Sequence, residues 1–320
     1  MTFMVDKQLR FQGFLVNLLM KVKSETKYLK SSQKMAKSMR SLSGRVAKGL
    51  DCREVQVPRT GGGTIRTRIY MPEEPHFPLP GVLWLHGGGY AIGVPELDHA
   101  MYQRLMATSP CIIVAPDYRL STESPYPAAL NDCYDVLLWM RTQITELGLR
   151  SNQLMVGGNS AGGGLTAALT LLARDRAEVN LAFQMPLYPM IDDRMTNPSA
   201  VGNTSPVWDS NLNLWAWKLY LGDRFGTEVP AYAAAARATD FSRLPPTATF
   251  VGDLEPFRDE TVAYVNNLRE AGVKVDFQVY EGCFHGFDAV CPGAEVSQRA
   301  LAFLMESYKI ATETYFAEQP

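Results

Sequence analysis

The sequence predicts an α/β fold: a mostly parallel central sheet with helices on both faces, carrying an added helical cap. Three observations support this. Short apolar runs rich in β-branched residues recur from Val82 to Tyr280, as expected of strands buried on both faces. Stretches of helical period separate those runs, the alternation that crossover connections produce. The 320 residues are 46% hydrophobic and 20% charged, enough apolar material for one large core.

Residues 7–49 read as helices, because Phe11, Phe14, Leu15, Leu18 and Leu19 fall at i, i+3, i+4, i+7 and i+8. That stripe is expected to pack over the rest of the protein as a cap segment, 1–50, with a solvated basic face; binding of its basic residues to an anionic membrane surface is the alternative. Val55–Val57 and Ile65–Tyr70 flank Gly61-Gly62-Gly63 and read as an antiparallel hairpin. A Pro-rich connector, Pro72 to Pro80, leads to the run Val82–Leu85. Further strands are expected at Cys111–Ala115, Leu154–Val156, Leu181–Leu187, Thr247–Val251 and Val273–Tyr280. Helices are expected near Ala128–Thr145, Ala161–Arg174, Asp259–Ala271 and Ala294–Thr312. Residues 192–243 break the alternation and are rich in Trp, Tyr and Ala. They read as an insertion that joins the cap, dividing the α/β domain into 51–191 and 244–320.

The formal net charge of −2 gives no reason to expect a nucleic-acid partner. The charge is uneven, since residues 1–50 hold eleven Lys and Arg against Asp6 and Glu25. Five cysteines without metal-ligand spacing suggest free thiols in a reducing compartment. No run of about 18 apolar residues occurs, so stable membrane insertion is not expected. The first residues lack a secretory layout, and a cytoplasmic location is the default expectation.

The chemistry centres on Gly158-Asn159-Ser160-Ala161-Gly162, between an expected strand and an expected helix. A serine on such a turn projects its hydroxyl from the end of a sheet, and the glycines let strand and helix approach. Serine needs a base, and the base an orienting group. Of four histidines, His285 alone follows the last strand in a glycine-flanked loop, where parallel sheets place functional groups. His76 and His99 read as surface residues, and His86 as a structural hydrogen-bonder. Asp253, Glu255 and Asp259 all follow the strand before it and qualify equally by position. His86-Gly87-Gly88-Gly89-Tyr90 closes a buried strand upstream, where side-chain-free N–H groups can face a developing negative charge. The N–H of Ala161 would add a donor. No cofactor is called for. Trp208 and Trp215, with Tyr90 and Asn159, are candidates for a substrate pocket.

The chain resembles the hormone-sensitive-lipase-like esterases of the α/β-hydrolase superfamily. The shared motifs run in order through HGGGY (86–90), DYRLSTESPYPAAL (117–130), GNSAGG (158–163), YPMIDDR (188–194), LEPFRDE (254–260) and HGF (285–287), spanning roughly residues 50–310. The resemblance implies an α/β-hydrolase fold and a serine carboxylesterase acting on small-molecule esters of short to medium acyl chains. It implies Glu255 as the triad acid, because Glu255 opens the motif that is D-P-x-R-D-E in such proteins. Other acyl-transfer chemistries on the same triad (amidase, lactonase, deacetylase) and a non-catalytic receptor are the alternatives. Pairing of two copies through the last strand is a further implication. Three departures stand out: Glu255 for the usual Asp, Asn159 for the usual Asp, and Ser121-Thr122-Glu123-Ser124 for A-P-E-H.

Overall fold

The computed structural model describes residues 5–20 and 22–320, without the side chains of Leu19 and Met20. Two helices come first, α1 (Arg10–Met20) and α2 (Glu25–Met39). Ser24 caps α2 by accepting a hydrogen bond from the N–H of Lys27, and Glu25 lies in the first turn, where the helix dipole favours a negative charge. The hairpin β1 (Leu50–Pro58) and β2 (Thr64–Pro72) follows, closed through the three glycines, all at positive φ.

The parallel core comprises β3 (Leu79–Leu85), β4 (Ile112–Pro116), β5 (Leu149–Asn159), β6 (Phe183–Leu187), β7 (Thr247–Gly252) and β8 (Val275–Tyr280). Strand order is β1-β2-β4-β3-β5-β6-β7-β8, with β1–β2 and β2–β4 antiparallel and every later pairing parallel. The connecting helices are α3 (His99–Thr108), α4 (Ala128–Thr142), α5 (Ile144–Leu147), α6 (Ala161–Arg176), α7 (Ser210–Leu221), α8 (Arg258–Glu270), α9 (Phe287–Val290) and α10 (Glu295–Thr314).

Strand β3 shows how the layers form. Leu83 and Leu85 join one apolar cluster with residues of α4, α6 and α7, while Val82 and Trp84 join another with α3 and α10. Alternate side chains leave opposite faces of a strand, so a run without polar residues must be covered twice. The α/β-hydrolase architecture expected from the sequence is therefore present. His99 is half-buried against Tyr70 and Tyr102 rather than on the surface, at the start of a helix the apolar pattern did not delimit.

Helix α1 differs from expectation in its orientation. Phe11, Phe14, Leu15 and Leu18 face outward, and the opposite face docks. Gly13 meets the Phe284 ring so closely that a Cβ would lie 2.7 Å from it. Only a residue without a side chain permits that approach, and it fixes which face turns in. The side chain of Leu19, the last position of the predicted stripe, lies outside what the structure describes. Among the described residues no helix is long and apolar enough to cross a membrane.

Candidate active site

Ser160 occupies the turn between β5 and α6 with φ 57° and ψ −118°, a strained conformation for a residue with a side chain. The surroundings enforce it. The Ser160 N–H donates to the Leu187 carbonyl at 2.9 Å, and the Met190 N–H donates to the Ser160 carbonyl at 3.1 Å. Glycines on both sides let backbone meet backbone: a Cβ on Gly158 would lie 2.4 Å, and one on Gly162 2.0 Å, from the Leu85 carbonyl oxygen. Glu260 braces the neighbouring segment, accepting the N–H groups of Ile191 at 2.8 Å and Asp192 at 3.1 Å. Burial pushes its carboxyl well above the usual carboxylate range, while the two N–H groups it accepts work in the opposite direction.

The Ser160 Oγ lies 2.8 Å from His285 Nε2, and Nδ1 of that ring lies 2.5 Å from Glu255 Oε2. All three side chains are buried. The other Glu255 oxygen accepts the Gly252 N–H at 2.8 Å, which anchors the carboxylate to the end of β7. Of the three acids open by position, Glu255 reaches His285. Asp253 instead accepts the Cys283 N–H and Asp259 the Ser199 N–H. The His285 ring is wedged edge-on between Tyr188 and Phe257, with centroids 5.1 and 5.0 Å away.

The glycine loop after β3 lies opposite. Gly88 and Gly89 have φ 117° and 59°, backbone angles that side chains rarely adopt. The Gly88 carbonyl turns away to accept from Ala91 and Ile92, and its own N–H and that of Gly89 have no protein acceptor among the described residues. The N–H of Ala161 opens α6, where helical N–H groups lack intrahelical acceptors. His86 supports the loop: its Nδ1 sits 2.8 Å from the Gly87 carbonyl and its ring stacks on Tyr118 at 4.2 Å. Burial pulls its pKa down to about 4, so it is neutral at pH 7.

These groups face a chamber of about 240 Å³, with Ile92, Leu97, Val207, Trp208 and Ala289 among its walls. A second cavity of about 110 Å³ lies under α2, bounded by Val22, Tyr28, Ser32, Met35 and Leu212. Gly88, Ile92 and Trp208 line both. Asn159 and Trp208 thus reach the chamber wall as expected. Tyr90 and Trp215 do not: Tyr90 is buried, stacked on Tyr220 and bonded to the Met190 carbonyl, and Trp215 packs against Tyr28.

Sequence reasoning missed two carboxyls behind the serine. Asp98 accepts hydrogen bonds from Trp84 Nε1 at 3.0 Å and Asn159 Nδ2 at 3.1 Å. Asp288 accepts one from the Tyr188 hydroxyl at 3.4 Å. Burial raises both to about 6, and each lies on a segment whose pattern gave no chemical signal. Asn159 therefore serves as a donor to a carboxyl, a role the usual aspartate could fill only when protonated. Among the described residues no group of three or more His, Cys, Asp or Glu side chains gathers to hold a metal ion.

Comparison with known proteins places the chain in a family. Residues 82–289 match a family model described as the alpha/beta hydrolase fold. The chain is 33% identical over 250 residues to carboxylesterase NlhH of Mycobacterium tuberculosis, covering 75% of this chain and 77% of that one. It is 32% identical over 209 residues to an arylesterase of Saccharolobus solfataricus, covering 64% and 67%. Among solved structures, a bacterial heroin esterase superposes with a TM-score of 0.88 at 33% identity, covering 98% of this chain and 99% of its own.

Proposed function

This chain belongs to the alpha/beta hydrolase fold family, in its hormone-sensitive-lipase-like group, and is a carboxylic-ester hydrolase; on that premise we propose that it works through a triad of Ser160, His285 and Glu255. The observation that carries the reading is the unbroken hydrogen-bonded line from Ser160 Oγ through both His285 nitrogens to Glu255.

In this reading Ser160 Oγ attacks the acyl carbon while His285 Nε2 takes its proton. Glu255 accepts the Nδ1–H bond, fixes the tautomer and stabilises the imidazolium. The N–H groups of Gly88, Gly89 and Ala161 hold the oxyanion, with Gly87 shaping the loop, and each such donor contributes about 3 kcal/mol to the transition state. The protonated imidazole returns its proton to the leaving alcohol as the C–O bond breaks, leaving an acyl-enzyme. Water then attacks with His285 again as base, the imidazolium returns that proton to Ser160 Oγ as the acyl–Oγ bond breaks, and the free acid departs.

The two cavities meeting at Gly88 and Trp208 support a division between alcohol and acyl portions, and their size favours short to medium acyl chains. Residues 1–50 and 192–243 act together as a cap over them, a reading supported by the packing of α2 on α7. The test is hydrolysis of p-nitrophenyl butyrate by Ser160→Ala. The loss should be at least ~10³-fold, because members of a triad act as a unit. Undiminished turnover would overturn the assignment, and faster hydrolysis of palmitate than butyrate esters by the unaltered enzyme would overturn the chain-length reading.

A further inference from the structure

We propose that α1 and the lysine-bearing face of α2 form a docking surface for an anionic lipid membrane, holding the mouth of the active-site chamber against the bilayer surface. The first observation is the outward stripe. Phe11, Phe14 and Leu18 are 72%, 67% and 63% exposed, and Leu15 stands between them on the same face. A helix of a water-facing protein turns such a stripe toward its core. Four large apolar side chains held in water on one regular face mark an interaction surface.

The second observation selects the occupant. Lys7 and Arg10 flank the stripe at one end, Lys23 follows α1, and Lys27, Lys30, Lys34 and Lys37 recur at helical spacing along α2, all exposed. None of the seven is paired with a carboxylate among the described residues. Residues 1–50 hold eleven basic against two acidic side chains in a chain of net charge −2, so the positive charge is concentrated at this end. A second copy presenting the same face would oppose like charges, whereas anionic headgroups complement them. Apolar residues beside a basic face are the requirement for a helix lying in the interfacial plane.

Placement gives the surface a purpose. The helix is tied to the His285 loop, with the Asp6 N–H on the Gly282 carbonyl at 2.9 Å and Gly13 against Phe284. Beyond its other end, Val22 walls the cavity under α2, beside the half-exposed Met35. Leu97, also exposed, belongs to the chamber wall. An ester leaving the bilayer would meet the site across a short apolar rim.

The experiment is co-sedimentation of the full chain with vesicles of phosphatidylcholine alone or with about 30% phosphatidylglycerol, at low and high salt. The unaltered chain should partition at least ~10-fold more to the anionic vesicles, and raising salt should weaken this. Phe14→Asp combined with Leu18→Asp should lower that partition at least ~10-fold. The same variant should hydrolyse dissolved p-nitrophenyl acetate as the parent does, which shows it is folded and keeps this test separate from that of the triad. An unaltered chain left in the supernatant at low salt would overturn the proposal. So would equal binding by the double variant, or a dimer in sedimentation velocity that the double variant dissolves without any lipid dependence.

Discussion

Asp288 illustrates how a single buried side chain ties the site to pH. Burial raises its pKa to about 6, above the ordinary value of 3.8, with one oxygen on the Tyr188 hydroxyl and the other without a partner. A carboxyl raised in the folded state stabilises the fold fully below its unfolded pKa, and that contribution is lost as pH rises through the folded one. Here the window runs from about 4 to about 6. Asp288→Asn keeps an acceptor for Tyr188 and removes the titration. Guanidinium unfolding of the parent at pH 5 and pH 7 should show a fall in stability that the variant lacks by about 1 kcal/mol. An identical fall in both would mean that Asp288 is not protonated in the folded protein. Residue-scale chemistry was only partly legible in the sequence. Ser160, His285 and the glycines announce themselves because each sits at the end of an apolar run. Asp98 and Asp288 do not, because burial of a carboxyl depends on helices folded over it from elsewhere.

At the scale of elements, the turn from β5 into α6 is the tightest junction. Gly162→Ala would set a Cβ 2.0 Å from the Leu85 carbonyl oxygen, which belongs to the backbone of a central strand and cannot swing aside. The expected cost is at least about 2 kcal/mol of stability, read from denaturant midpoints, with a loss of turnover as the serine shifts. Gly293→Ala is the control, since a Cβ there meets nothing within 4 Å, and it should change stability by less than about 0.5 kcal/mol. Equal effects would remove close packing as the reason for these glycines. Strands and helices of the sheet were readable because period and burial coincide there. Helix α1 shows the limit: its period was read correctly and its direction was not. The contact of Gly13 with Phe284 joins residues far apart in sequence, and amphipathic patterning carries no information about it.

The whole molecule is a sheet whose proposed catalytic groups come from four separate strand ends. The glycine loop follows β3, the serine β5, the acid β7 and the histidine β8. The alternation of apolar runs and helices foretold that architecture, and the resemblance selected Glu255 where position alone left three acids equal. The sequence did not reveal which residues of the cap would reach the chamber, since Trp208 and Trp215 are alike in composition and differ only in how α7 and the segment before it lie. The same arrangement dictates an order of events during folding. Ser160 and His285 are 125 residues apart, and the turn that strains Ser160 is bonded to the Leu187 carbonyl and packed against that of Leu85, both of which reach it only across completed strand pairings. Local helices form early and distant pairings late. Catalytic competence is therefore the last property a refolding chain acquires: in a dilution from denaturant, ester turnover should return more slowly than helical circular dichroism.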